Sequence, residues 1–153
     1  MRFISMALLP LLALAASLSA QEGDGNRLDR VSAHFFYKDT GELSDNLLER
    51  EDFAAWNTII GDGENGPADD VLVVATITGP QEDYINDTLE LWVTGENGKV
   101  IGQRRFDGML LTSAGSVSSP LWLADATCAG ELTIHARFRG KEKTARLQLY
   151  CGE

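Results

Sequence analysis

Between residues 132 and 151 the chain alternates apolar and polar side chains two by two. Leu132, Ile134, Ala136 and Phe138 stand against Thr133, His135, Arg137 and Arg139. After Gly140-Lys141-Glu142-Lys143, the residues Ala145, Leu147, Leu149 and Cys151 stand against Thr144, Arg146, Gln148 and Tyr150. A helix of period 3.6 scatters such a set around its circumference, whereas a strand places it on one face, so this stretch is a β-hairpin with a core side and a solvent side. Pairing Arg139 with Thr144 puts Phe138 opposite Ala145, Ala136 opposite Leu147 and Ile134 opposite Leu149. A slip of one residue would turn every apolar group outward. In that register Arg137 stands directly opposite Arg146, and Cys151 opposite Leu132.

The same period marks Val31, Ala33, Phe35 and Tyr37. Val71 to Thr78 is an apolar run bounded by Gly79-Pro80, which reads as a central strand. Leu89–Thr94 and Val100–Gln103 flank Gly95-Glu96-Asn97-Gly98-Lys99, a hairpin turn with Asn-Gly at its tip. A four-residue loop sets Val93 against Val100 and Trp92 against Ile101, and a tight Asn97-Gly98 turn does not. Met109 to Leu123 holds one or two edge strands, because Pro120 has no N–H for a ladder. Residues 43 to 60 are ambiguous. Asp52 is placed to cap a short helix near 52–58 in which Phe53, Trp56 and Ile60 share a face, but Asn57-Thr58-Ile59-Ile60 favours β structure.

About seven short strands, separated by turns and without long helical periodicity, predict an all-β fold. It is an antiparallel β-sandwich that resembles immunoglobulin-like or fibronectin-type architecture. The resemblance is architectural. The immunoglobulin Cys, Trp, Cys order is absent, since both cysteines follow all three tryptophans.

Residues 1–20 carry one base, Arg2, then an apolar run from Met6 through Ala16, then Ser17-Leu18-Ser19-Ala20. This is the pattern of a secretory signal peptide, and the run is shorter than the about 20 apolar residues that cross a bilayer. It predicts residues 21–153 as a single exported domain, periplasmic or secreted, with no membrane span after cleavage. The whole chain has 23 acidic and 13 basic residues, a net charge of −10, which excludes general nucleic-acid binding. Residues 21–90 hold 17 acids against 4 bases, while residues 91–153 hold 6 acids against 8 bases. An exported chain oxidises its thiols, so Cys128 and Cys151 are expected to form a disulfide.

Asp62, Glu64, Asn65, Asp69 and Asp70 gather oxygen ligands of the kind Ca2+ takes, though without EF-hand spacing. The competing reading is a solvated acidic turn. His34 and His135 fall on the polar sides of their strands, and as neighbours they would form part of a metal site. No nucleophile elbow, zinc-protease motif or phosphate loop is present in residues 21–153. The pattern therefore points away from catalysis and toward a non-catalytic binding or interaction module. Its candidate surface is the basic hairpin Arg137, Arg139, Lys141, Lys143 and Arg146. Like charges opposed across a hairpin require something acidic nearby: the chain's own acidic first half, a partner protein, or an anionic envelope polymer. The alternative is a Ca2+-stabilised exported protein, or a small secreted hydrolase without an identifiable catalytic motif.

Overall fold

The computed structural model describes residues 25–50, 54–57, 68 and 70–151. The expected signal peptide lies outside them. Nine strands follow in order: β1 (Arg27–Tyr37), β2 (Glu42–Leu43), β3 (Ala54–Asn57), β4 (Asp70–Thr78), β5 (Tyr84–Thr94), β6 (Val100–Leu110), β7 (Ser116–Leu123), β8 (Gly130–Phe138) and β9 (Lys141–Cys151). They form a four-stranded sheet, β2-β1-β4-β7, and a five-stranded sheet, β3-β9-β8-β5-β6. All pairs are antiparallel except β3 with β9. The long strands take the immunoglobulin-like order, with β1, β4 and β7 facing β9, β8, β5 and β6.

The inward residues are those the alternation selects. Ala33, Phe35 and Tyr37 of β1, Val71, Val73, Ala75 and Ile77 of β4, and Leu121 and Leu123 of β7 are buried. So are Leu89, Leu91 and Val93 of β5, Leu132, Ile134, Ala136 and Phe138 of β8, and Leu147 and Leu149 of β9. Pro120 sits where its missing N–H costs least, on edge strand β7. Glycine opens the close approach of the two sheets at one margin. A Cβ on Gly102 of β6 would collide with Leu123 of β7, and Arg104 beside it donates to the Pro120 carbonyl at 3.1 Å.

The short helix expected near 52–58 is a strand at its described positions. Ala54–Asn57 pairs in parallel with Gln148–Cys151, because the unpaired edge of β9 offers backbone partners that outweigh a weak helical preference. Among the described residues the one turn of helix lies earlier, a 3-10 turn at Leu47–Glu49 that buries Leu47. Asn46 caps it. The Asn46 amide oxygen accepts the N–H of Leu48 at 3.3 Å and also that of Ala33 at 3.0 Å, while the Ser44 hydroxyl accepts from Phe35 N–H at 2.9 Å. Side chains thus occupy the edge of β1 beyond β2.

The β8–β9 register corrects the expectation, while that of β5 and β6 had two alternatives in the sequence. Between β5 and β6, Val93 faces Gly102, Trp92 faces Gln103 and, past a bulge, Thr94 faces Val100. Gly98 N–H donates to the Gly95 carbonyl at 2.9 Å and Gly95 N–H to the Lys99 carbonyl at 3.0 Å, so Glu96 and Asn97 make the turn and Gly98, at φ 69°, closes it. Between β8 and β9, Arg137 faces Glu142, Ala136 faces Lys143 and Leu132 faces Leu147. The turn is two residues, Arg139 at φ 51° and Gly140 at φ 71°, and such a turn matches the right-handed twist of the flanking strands. The shift is even, so the core face is unchanged. Arg146 faces Thr133 instead of Arg137, and the like-charge opposition does not occur.

Candidate functional site

The outward face of the five-stranded sheet is ordered in rows that run across the strands. One row reads Arg105, Glu90, Arg137, Glu142 from β6 through β5 and β8 to β9. Charge alternates along it. Arg105 lies 3.9 Å from Glu90, Arg137 lies 3.4 Å from Glu90 and 3.2 Å from Glu142, and all four side chains are at least about one third exposed. Exposed ion pairs contribute at most about 1 kcal/mol each, so the row gives order and charge balance more than stability.

The next row reads Gln103, Trp92, His135, Thr144. The rings of Trp92 and His135 stack with centroids 4.8 Å apart and planes 2° from parallel, and the Arg137 guanidinium lies 4.9 Å from the Trp92 ring centre. Imidazole Nδ1 of His135 lies 3.0 Å from Glu142. The bond to His135, and then that to Arg137, hold the Glu142 carboxyl below its usual value. At the β6 end, bonds from Arg105 and Thr88 lower the Asp107 carboxyl in the same way, while Asp107 raises Arg105. A groove of about 540 Å³ opens on this face, lined among others by Glu90, Trp92, Gln103, Arg104, Arg105 and Arg137.

The hairpin residues divide. Arg137 and Arg139 are neutralised by the acidic first half of the chain together with Glu142: Arg139 bonds Asp87 at 2.6 Å, and Arg137 bonds Glu90 and Glu142. Lys141, Lys143 and Arg146 are exposed, and among the described residues they make no ion pair. By parity Lys141 and Lys143 share the core side of β9, opposite Phe138 and Ala136, where that strand lies at the rim of the sandwich. Arg146 is on the outward side.

Of the expected Ca2+ ligands, Asp62, Glu64, Asn65 and Asp69 lie outside the described residues. Asp70 is buried, and its oxygens accept Trp122 Nε1 at 3.0 Å and Asp125 N–H at 2.9 Å. These bonds tie the start of β4 to β7 and the turn after it. The histidines do not meet. His34 is on β1 in the four-stranded sheet, bonded to the Ser44 carbonyl at 2.8 Å, while His135 is on β8 in the other sheet. Sequence reasoning missed Glu90, Trp92, Gln103 and Arg105. Their outward parity is readable in the strands, but their assembly into rows depends on the order of β6, β5 and β8, which alternation does not carry.

No family model matches the sequence, and no curated protein matches it. Among solved structures, a glycosyl hydrolase family 2 member from Bacteroides cellulosilyticus is similar at a TM-score of 0.40 and 12% identity, over 52% of this chain and 12% of that one. A Bifidobacterium dentium beta-glucuronidase is similar at a TM-score of 0.41 and 13% identity, over 82% of this chain and 18% of that one. The chain thus spans less than a fifth of the length of either protein.

Proposed function

We propose that the protein is an exported, non-catalytic binding module that holds an anionic partner, an acidic protein or an acidic envelope polymer, through Lys141, Lys143 and Arg146. The observation that carries this reading is the division of the basic hairpin. Arg137 and Arg139 are already neutralised, whereas these three cations have no ion-pair partner among the described residues. Three contacts at about 1 kcal/mol each in water amount to roughly a hundredfold in affinity, and they weaken as salt screens them.

Export rests on the pattern of residues 1–20 and carries with it a Cys128–Cys151 disulfide. The pairing of β8 with β9 supports that bond. Gly130, the first residue of β8, faces Leu149, and Cys128 lies in the turn just before it, closed by the Ala129 N–H on the Ala126 carbonyl at 3.0 Å, so the chain carries Cys128 past the end of β9 that holds Cys151. No cysteine among the described residues is free.

Binding of poly-L-glutamate and of polygalacturonate to the mature chain, measured at low and at physiological salt, tests the function. Wild type is expected to bind at low salt. The variant Lys141→Glu, Lys143→Glu, Arg146→Glu is expected to lose roughly a hundredfold in affinity while melting close to wild type, because all three side chains are exposed. Absence of binding to either polymer, or binding indifferent to the triple reversal, contradicts the reading.

A further inference from the structure

The outer edge of β6 is the second open margin of the five-stranded sheet, since β6 ends the strand order. It runs for 11 residues. An edge of this length presents a row of backbone donors and acceptors that another strand can use. Its side chains are distributed in a particular way. Four of the six exposed large hydrophobic side chains among the described residues lie on β6 or directly beside it: Val100 and Ile101 at its start, Leu110 at its end, and Tyr84, which pairs with Leu110. Between these apolar ends stand Arg105 and Asp107, of opposite sign, one on each side of Phe106, and within the chain Arg105 Nε already bonds the Asp107 carboxylate at 3.0 and 3.1 Å, so a second copy would share this pair rather than meet free charges.

We infer that β6 is a self-pairing edge, which joins antiparallel to β6 of a second copy about a two-fold axis at Phe106 and so makes one continuous sheet across two molecules. Under that symmetry residue i meets its counterpart on the other copy at equal distance from Phe106. Arg105 of one copy then stands opposite Asp107 of the other, twice over. Leu110 of each copy then stands opposite Gly102 of its neighbour, beside Ile101, so exposed apolar side chains gather at both ends of the contact. A register displaced by one residue brings Arg105 opposite Phe106 or Gly108, and a displacement by two brings either Arg105 or Asp107 opposite itself, so charge selects this pairing over its neighbours. β6 contains neither lysine nor proline, two of the residues that keep an edge solitary, and its pairing with β5 is regular from Gly102 to Asp107, between two bulges that confine the open edge to its centre.

Sedimentation velocity of the mature chain, from micromolar to millimolar concentration, reads the association. Wild type is expected to pass reversibly from monomer to dimer and no further, because a two-fold contact closes. Arg105→Asp or Asp107→Arg alone places like charges opposite each other twice, and is expected to weaken the dimer at least about tenfold. The exchanged pair R105D with D107R restores the attraction and is expected to restore the dimer. Leu110→Lys supplies the missing lysine and is expected to leave a monomer with an unchanged melting midpoint. A wild type that stays monomeric throughout overturns the inference. So does assembly beyond a dimer, a dimer indifferent to Leu110→Lys, or failure of the exchanged pair to restore association when its melting shows it folded.

Discussion

The two margins of the five-stranded sheet face the same physical problem, unpaired backbone groups at the end of a ladder, with different chemistry. On the β9 side the last four residues are paired with β3, and the stretch before them carries three cations, Lys141, Lys143 and Arg146, around the single acid Glu142. On the β6 side the strand carries Arg105 and Asp107, of both signs, between apolar ends. A margin of net positive charge repels a copy of itself and attracts an anion; a margin whose charges are opposite at equal distances from its centre is complementary to itself. In the other sheet the part of β1 beyond the two-residue β2 uses a third device, with Asn46 and Ser44 occupying its N–H groups from within the chain.

The strands between these margins hold both in place, so the largest expected effect lies there. Leu91 of β5 is 1% exposed, and Leu91→Ala is expected to cost about 2–5 kcal/mol in denaturant unfolding, through lost burial and the cavity left behind. Both margins should fail in a single transition. Two transitions would mean that the margins are not parts of one cooperative unit.

Removing the proposed disulfide acts on the β9 side. Cys128→Ser with Cys151→Ser is expected to cost about 3 kcal/mol by releasing the unfolded chain, and intact mass should rise by about two daltons when wild type is reduced. An unchanged mass on reduction would remove the bond from the account.

Lysine removal breaks the comparison more directly. Lys141→Val with Lys143→Val is expected to create a new self-association that Leu110→Lys does not suppress, because the β9 margin then lacks its lysines. A double variant that associates no more than wild type would show that these lysines do not guard the edge.

The smallest effect is acidic. The Glu142 carboxyl is lowered chiefly by His135 and then by Arg137, and that of Asp107 by Arg105 and Thr88. A carboxylate held below its unfolded value adds stability that is fully present above that unfolded value, near pH 4, and is lost as pH falls through the lowered folded value. Glu142→Gln and Asp107→Asn should therefore each flatten the acid limb of the melting curve and leave neutral pH nearly unchanged. A variant whose acid limb is as steep as that of wild type would show that its carboxylate does not contribute.

Alternation made the fold and its core side readable, because a side chain's face depends on its own position in a strand. It placed Leu132, Ile134, Ala136 and Phe138 inward without any knowledge of partners. Register was beyond it. Arg137 opposite Arg146 and Arg137 opposite Glu142 have the same parity, so the core cannot choose between them. The choice fell to a two-residue turn with Arg139 at positive φ, a conformation that a residue with a Cβ seldom signals in sequence. β3 escaped for a related reason: four residues become a strand there because the edge of β9 is available, and that edge is made elsewhere in the chain. The row through Trp92 and His135 likewise required the order of the strands.

Amide NMR of the mature chain can follow both margins in one sample, first through a dilution series and then through a titration with poly-L-glutamate at low salt. Dilution is expected to move resonances of Val100–Leu110 and leave Lys141–Arg146 in place, while the polymer is expected to move Lys141–Arg146 and leave β6 in place. Both perturbations moving the same strand, or neither moving its own, would contradict the claim that one sheet carries an anion-binding margin and a self-pairing margin.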